Sequence, residues 1–243
     1  MRLSVSKQPK NALPDQRFDR ETSEFDRSLG FFDATYAFAL TLLILNIDLP
    51  KDAAWQSPQA LLDSVSWQLI GFLTSFFVII IFWLSNNSII SRLRTLDSVT
   101  IVLNIVVLAF VIFIPFTTQA ISDPGLELLP LPTVVYAINV AGAIIVQVIM
   151  YEVAMSRGYG RVERSPRTRR LELIDGLTNP AVFLLSIPVT LLVGTVWGKL
   201  TWALMIPLGF LTGRPARRAE LEDLAAQARR QRAASTGRSG TRS

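Results

Sequence analysis

The feature that most constrains this chain is a series of long apolar runs, with most of the charged residues in the segments between them. Each of four runs can cross a hydrocarbon core of about 30 Å at about 1.5 Å per residue. They lie at about residues 30–49, 67–90, 99–121 and 133–155. A fifth stretch, 177–211, is too long for one span and is interrupted by Gly194, Gly198 and Lys199. It is therefore predicted to form two short helices joined by a tight turn, which gives an all-α integral membrane protein with six transmembrane helices.

The basic residues predict the orientation of these spans. Of the 24 lysines and arginines, all but Lys51 and Lys199 fall in four segments that six spans place on one side. These segments are residues 1–28, 91–98, 156–170 and 214–243. Because basic loops are retained in the cytoplasm during insertion, both termini are predicted to be cytoplasmic. The predicted location is the cytoplasmic membrane, which the chain crosses several times.

Three parts of the chain follow from this layout. Residues 1–28 are predicted to be a polar cytoplasmic tail, 29–213 the six-helix transmembrane domain, and 214–243 a basic cytoplasmic tail. The basic tail is rich in alanine, arginine and glutamate and is predicted to extend the last helix, with a disordered end from Ala233. Its arginines are interpreted as topology signals that also attract anionic lipid. The lipid bilayer is thus an expected partner and nucleic acid is not.

Composition argues against several kinds of site. The chain has no cysteine and no histidine, so disulfides and the usual zinc and haem ligands are excluded. It also lacks a GxGxxG motif, a P-loop and a Ser/His/Asp set. We therefore expect no enzyme activity, no metal site and no cofactor.

Polar residues inside the apolar runs are the informative ones, because each costs free energy in hydrocarbon unless it is paired or meets water. Asp33 lies just inside the first run, and no other carboxylate is clearly placed within a span near its end. At 100° per residue, the first helix also carries a narrow stripe. The stripe consists of Phe31, Thr35, Phe38, Leu42 and Leu45, with Thr41 at its edge. Spacing alone favours a face that packs against neighbouring helices.

Three ordered motifs add a resemblance to a known family. The first is Arg27, Phe31 and Asp33, with Phe32 between the last two. The second is Phe82-Trp83-Leu84-Ser85-Asn86-Asn87, and the third is Leu103-Asn104 followed by Leu108 and Ile114-Pro115-Phe116-Thr117. Together they resemble the first three helices of the transmembrane protein 175 family of potassium-permeable channels. That family has Ser at the position of Phe32 and His at the positions of Asn86 and Asn87. The resemblance covers residues 27–155 in detail and the last two helices by layout.

The resemblance implies a homotetramer of six-helix subunits that conducts monovalent cations and prefers potassium, with the first helix lining the pore. By position relative to Asp33, rings of Phe38, Leu42 and Leu45 would form the apolar constriction. Thr41 would add a hydroxyl ring that contributes to selectivity. A polar network would tie the first three helices together and consist of Arg27, Asp33, Trp83, Asn86 and Asn104. Potassium would be the permeant ion, and no cofactor is implied.

Two other classes of function remain alternatives. A secondary transporter would show inverted repeats or broken helices at the midplane, and no convincing repeat is present. An enzyme or assembly factor is a further alternative, but convergent catalytic groups at one depth are lacking. A non-conducting relative of the same family is also compatible with the sequence, because Phe38 stands where the family most often has Ile or Leu.

Overall fold

The computed structural model describes residues 17–239, and the parts of the two predicted tails at 1–16 and 240–243 lie outside it. A short strand, β1 (Arg17–Asp19), precedes the first helix, α1 (Ser23–Leu42). Thr22 caps α1 by accepting from the Phe25 backbone N–H, which satisfies one of the free N–H groups of the first turn. The helix therefore begins seven residues before the first apolar run. It continues as a 3-10 turn over Leu43–Asn46.

The next three helices match the predicted runs and extend beyond them. These helices are α2 (Pro58–Ser91), α3 (Ser98–Ser122) and α4 (Pro130–Ser156), with strand β2 (Thr95–Asp97) between the first two. Ser57 caps α2 and Asp97 caps α3 through side-chain oxygens, so the chain turns sharply into each span. The extra turns at the start of α2, residues 58–66, mix polar and apolar side chains.

The last apolar stretch is divided as predicted. Helix α5 (Pro166–Leu192) is followed by a turn at Gly194, whose φ of 126° suits glycine far better than other residues. Helix α6 (Thr195–Thr201) then passes through a 3-10 turn, Trp202–Leu204, into α7 (Met205–Ser239). Five helices are long and apolar enough to span a membrane, and α6 with the apolar start of α7 provides the sixth span.

Helix α7 continues far past its apolar part, as predicted for the basic tail. The backbone is helical to Ser239, so the disorder predicted from Ala233 is wrong for residues 233–239. Alanine, arginine, glutamate and glutamine are strong helix formers, and a helix that has already been nucleated extends at little cost.

Helix α3 lies at the centre of the subunit and packs against α1, α2 and α4, while α5 packs against α4, α6 and α7. Aromatic side chains fill the second contact region. The Tyr136 ring stacks on Trp202 at a centroid distance of 5.1 Å, and Phe183 lies 5.4 Å from the same indole. The Trp202 indole N–H donates to the Ser186 hydroxyl at 3.0 Å, so its polar group is satisfied inside the bundle.

The basic segments meet at one end of the bundle, which we call the basic end. Strands β1 and β2 pair antiparallel there, and Leu93 forms a bridge with Gly160 in the α4–α5 loop. Helices α1, α3 and α5 begin at this end, and α2 and α4 finish there. Both ends of the described chain therefore lie on one side, as an even number of spans requires.

Candidate functional site: the outward face of α1

Helix α1 has two unlike faces. One face packs into the subunit and is buried. It consists of Phe25, Phe32, Tyr36, Ala39 and, in the following turn, Leu43. The other face points away from the subunit: Phe31 is 58% exposed, Phe38 60% and Leu45 70%. The stripe that spacing alone assigned to packing within the bundle is thus turned outward, one residue or about 100° from the buried stripe.

The outward face holds most of the residues predicted to line a pore. Phe38, Thr41 and Leu45 are exposed, and Leu42 lies half-buried at the edge of the face. The Thr41 hydroxyl donates to the Phe38 carbonyl at 2.8 Å, and its two acceptor lone pairs remain available on the exposed side. The four residues therefore lie along one edge of the subunit, and their role in a pore stays a prediction.

The outward face of α1 differs from that of α3. Most exposed positions on α3 are large and apolar, among them Val102, Ile105 and Phe116. On α1 the large apolar residues alternate with small or polar ones. These are Gly30, Asp33, Ala34, Ala37 and Thr41. Small residues let helix backbones approach closely in a membrane, whereas a uniformly apolar face suits lipid tails. The outward face of α1 therefore differs from a face of uniformly large apolar side chains.

At the edge of this face, one pair of the predicted polar network is joined. The Trp83 indole N–H donates to the Asp33 carboxylate at 2.8 Å and links α2 to α1. Counting along each helix from the basic end, both residues lie about 12 to 15 Å deep. An ionised carboxylate at that depth needs a donor, and Trp83 supplies one.

The other members of the predicted network are placed differently. Asn86 and Asn104 are buried at 1% exposure on α2 and α3. Both polar atoms of the Asn86 amide, the Asn104 oxygen and the Tyr36 hydroxyl lack a hydrogen-bond partner among the described residues. Arg27 is exposed and makes no hydrogen bond or ion pair with the described part of the chain. The subunit alone thus joins Asp33 to Trp83 and leaves the asparagines unsatisfied.

Three functional-looking features lie outside the predicted site. The Asn46 amide donates to the Pro115 carbonyl at 2.7 Å and fixes the far end of α1 to α3. The sequence signal for this contact was the amide side chain of Asn46 near the end of an apolar run. Asp175 lies inside α5, because the helix begins at Pro166 rather than near residue 177. Asp175 thus joins Asp33 as a carboxylate within a candidate span, because the cap at Ser165 starts α5 early.

The third feature is a charge network at the basic end. Arg164 pairs with Glu152 at 2.7 Å and with Glu172 at 2.8 Å, which joins α4 to α5. Arg92 pairs with Glu172 and with Glu220, each at 3.1 Å, which adds α2 and α7. The pairs formed by Arg92 join residues that are distant in sequence, so helical spacing could not have predicted the whole network.

Asp97 is a separate, fully buried acid at the start of α3. It accepts from the Thr100 backbone N–H at 2.8 Å and hydroxyl at 2.6 Å, and it forms an ion pair with Arg157. Burial by itself would raise the pKa of Asp97. The hydrogen bonds from Thr100 and Arg157 favour the carboxylate more strongly and hold its pKa below the ordinary value.

Comparison with known proteins places the chain in context. The family described as endosomal/lysosomal potassium channel TMEM175 matches residues 27–115. A potassium channel from Chamaesiphon minutus is 31% identical over 105 residues, which are 42% of this chain and 52% of that protein. A potassium channel from Streptomyces collinus is 30% identical over 105 residues, 42% of this chain and 49% of that protein. The chain thus spans about half the length of the curated relatives that it matches.

Two crystal structures have the same fold. A lysosomal potassium-selective channel TMEM175 homolog from Chamaesiphon minutus superposes with a TM-score of 0.56 and 23% identity, covering 82% of this chain and 99% of that one. A variant of the potassium channel MtTMEM175, solved with a nanobody fusion, gives a TM-score of 0.58 and 20% identity. The superposition covers 88% of this chain and 100% of that one. The chain is therefore similar to the transmembrane protein 175 family over residues 27–115, and it shares the fold of these two channels over most of its length.

Proposed function

We propose that this protein is a potassium-preferring cation channel of the cell membrane, in which α1 lines the pore of a homotetramer. The observation that carries the proposal is the outward face of α1, where Phe38, Thr41 and Leu45 are exposed on the subunit while the opposite face is packed. The names of its relatives, all potassium channels or homologs of one, support the choice of ion.

Apolar rings would act as the gate. Phe38 and Leu45 are separated by seven residues, or about 10 Å along a helix. Rings of such side chains around an axis narrow a pore enough to disfavour continuous water, so conduction would be controlled by wetting. Thr41 lies between them, and its hydroxyl oxygens would partly replace the water shed by a monovalent cation. Selectivity would accordingly be modest.

The Asp33–Trp83 pair would hold α1 at a fixed angle to α2 rather than contact ions directly. Asn86 and Asn104 would complete this support when water or a neighbouring subunit satisfies their amides. Asparagine donates and accepts hydrogen bonds but does not titrate near neutral pH. We therefore expect gating that does not depend on protonation at these two positions. The permeant potassium ion is the substrate of the channel, and no cofactor is proposed.

The test is potassium flux from liposomes that contain the purified protein, measured against sodium, with Phe38→Ala in parallel. Phe77 on the outward face of α2 is as exposed as Phe38, at 60%, so Phe77→Ala is a matched control. Enlarged flux and reduced selectivity in Phe38→Ala, with unchanged flux in Phe77→Ala, are expected. No flux from folded tetramers of either the parent or Phe38→Ala would instead favour a non-conducting relative or a transporter.

A further inference from the structure

A polar cavity lies within the subunit, away from the outward face of α1. It has a volume of about 690 Å³, is lined by α2, α4, α5 and α7 near the basic end, and is open on one side. Cavities of about 300 to 1,000 Å³ commonly accommodate small organic ligands. This one has a polar wall and an apolar wall. The polar wall includes Ser85, Gln147, Asp175 and Asn179, and the apolar wall includes Ile89, Val148 and Leu221.

Asp175 is the one carboxylate of this wall that has no basic partner within residues 17–239. The other three acids of the cavity are engaged by arginines: Glu152 by Arg164, and Glu172 and Glu220 by Arg92. Within the described part of the chain, Asp175 accepts a hydrogen bond only from the Thr212 hydroxyl, at 2.7 Å. A carboxylate inside a span without a cation is costly, and such residues usually face a functional cavity.

Gln147 provides a second, independent sign of a ligand. Its side chain is 4% exposed, and its oxygen accepts from the Ser85 hydroxyl at 3.2 Å. Its amide nitrogen has no hydrogen-bond partner among the described residues. A buried donor left unpaired is destabilising because it has lost its hydrogen bonds to water, so an oxygen acceptor in the cavity would be favourable.

The Arg92–Glu220 ion pair at 3.1 Å joins α2 to α7 at the rim, while α7 packs against α5 on the other side. A hydrated inorganic cation would pair with Asp175 but would leave the apolar wall against water. An amphiphilic amine would satisfy both walls at once.

We propose that this cavity binds a small amphiphilic amine. The ammonium group would donate to Asp175, an ether or hydroxyl oxygen would accept from the Gln147 amide nitrogen, and an alkyl chain would lie against Ile89, Val148 and Leu221. The inference concerns a binding site and does not depend on ion conduction, so its test is independent of the channel assay.

The test is isothermal titration of the detergent-purified full chain with butoxyethylamine, and with heptylamine and heptanol as probes of similar length. The parent should bind butoxyethylamine more tightly than heptylamine, and heptanol weakest of the three. Asp175→Asn keeps an acceptor for Thr212 and removes the charge, so it should weaken amine binding by about tenfold to a hundredfold. Asp63→Asn, at the opposite end of α2, is the matched control and should bind as the parent does.

Gln147→Leu removes the unpaired donor. It should abolish the preference for butoxyethylamine over heptylamine while leaving heptylamine affinity nearly unchanged. The proposal would be overturned by equal amine binding in the parent and Asp175→Asn, by equal binding of heptanol and heptylamine, or by full competition from potassium chloride at equal concentration. Failure of ion flux with intact amine binding would count against the channel proposal alone.

Discussion

The two faces of α1 both carry phenylalanine, but they have opposite surroundings. Phe32 is buried against the rest of the subunit at 1% exposure, while its neighbour Phe31 is 58% exposed. The buried face is continuous and ends at Asn46, which is bonded to α3. The outward face alternates large and small residues and has no partner helix in the subunit. The inner face of α1 therefore stabilises the fold, and the outer face stays available for assembly and function.

The largest expected effect comes from truncating the buried face. Phe32→Ala should lower the free energy of unfolding by about 3 to 5 kcal/mol, because it leaves a cavity between α1 and the core. Phe31→Ala is the matched control and should cost less than about 1 kcal/mol. Thermal unfolding in detergent, followed by loss of helical circular dichroism, measures both. Similar losses in the two variants would contradict the distinction between the faces.

A smaller loss of stability is expected at Asp97, which belongs to neither face of α1 and lies at the basic end. Asp97→Asn should cost about 1 to 2 kcal/mol, since it weakens the Thr100 and Arg157 hydrogen bonds. The pKa of Asp97 is lower in the folded state, so the unfolded state binds more protons and stability rises with pH. The stabilising contribution of the Asp97 carboxylate is present at neutral pH. It is lost as the pH falls below about 3.9, the pKa of an unperturbed aspartate, and through the lower pKa of the folded state.

Unfolding measured from pH 7 to pH 3 checks this sign. The parent should lose more stability than Asp97→Asn over the acid part of the range. Asp63→Asn, whose carboxyl is exposed, should follow the parent. An identical acid profile for the parent and Asp97→Asn would show that the carboxylate contributes nothing.

The Asp33–Trp83 bond tests where the two faces of α1 meet. Asp33 is exposed, yet it bonds to α2. Asp33→Asn should therefore cost about 1 kcal/mol, between the values for the buried and outward positions. Trp83→Phe should give a similar loss of stability. The double variant should lose less than the sum of the two single losses, because both substitutions remove the same hydrogen bond. Additive losses would indicate that the bond does not contribute.

The smallest effect on stability is expected at Thr41, where function should change instead. Thr41→Ala removes a hydroxyl that bonds only to its own helix, so stability should stay within about 0.5 kcal/mol. If the outward face lines the pore, the preference for potassium over sodium should fall, by at most about tenfold. The reversal potential under biionic conditions measures this, and Thr74→Ala on the exposed side of α2 is the control. An unchanged reversal potential would count against a pore role for Thr41.

Much of the fold could be predicted from the sequence. The apolar runs set the number of spans, the basic residues set which segments share a side, and Gly194 marks the turn that divides the last stretch. The first residues of the helices could not be predicted as closely. Caps at Thr22, Ser57 and Ser165 start the helices several residues before the apolar runs. The extension of α5 to Pro166 is what placed Asp175 inside a span.

The candidate site was predicted only in part. The motifs pointed to Asp33 and Trp83, which lie on different helices and are bonded, and to a stripe on α1 that proves to face outward. They gave no sign that Arg27 stays apart from the pair. The cavity around Asp175 was not predicted either, since its walls come from four helices that are distant in sequence.

The sequence by itself determined that this protein is a six-span helical membrane protein with both ends on one side. Hydrophobic length and charge are properties of each segment alone, and no neighbour is needed to evaluate them. Only the tertiary structure decided which of two adjacent stripes of α1 is buried. Helical periodicity makes Phe31 and Phe32 equally good candidates for a core, and the choice depends on the shapes of the helices against which α1 packs.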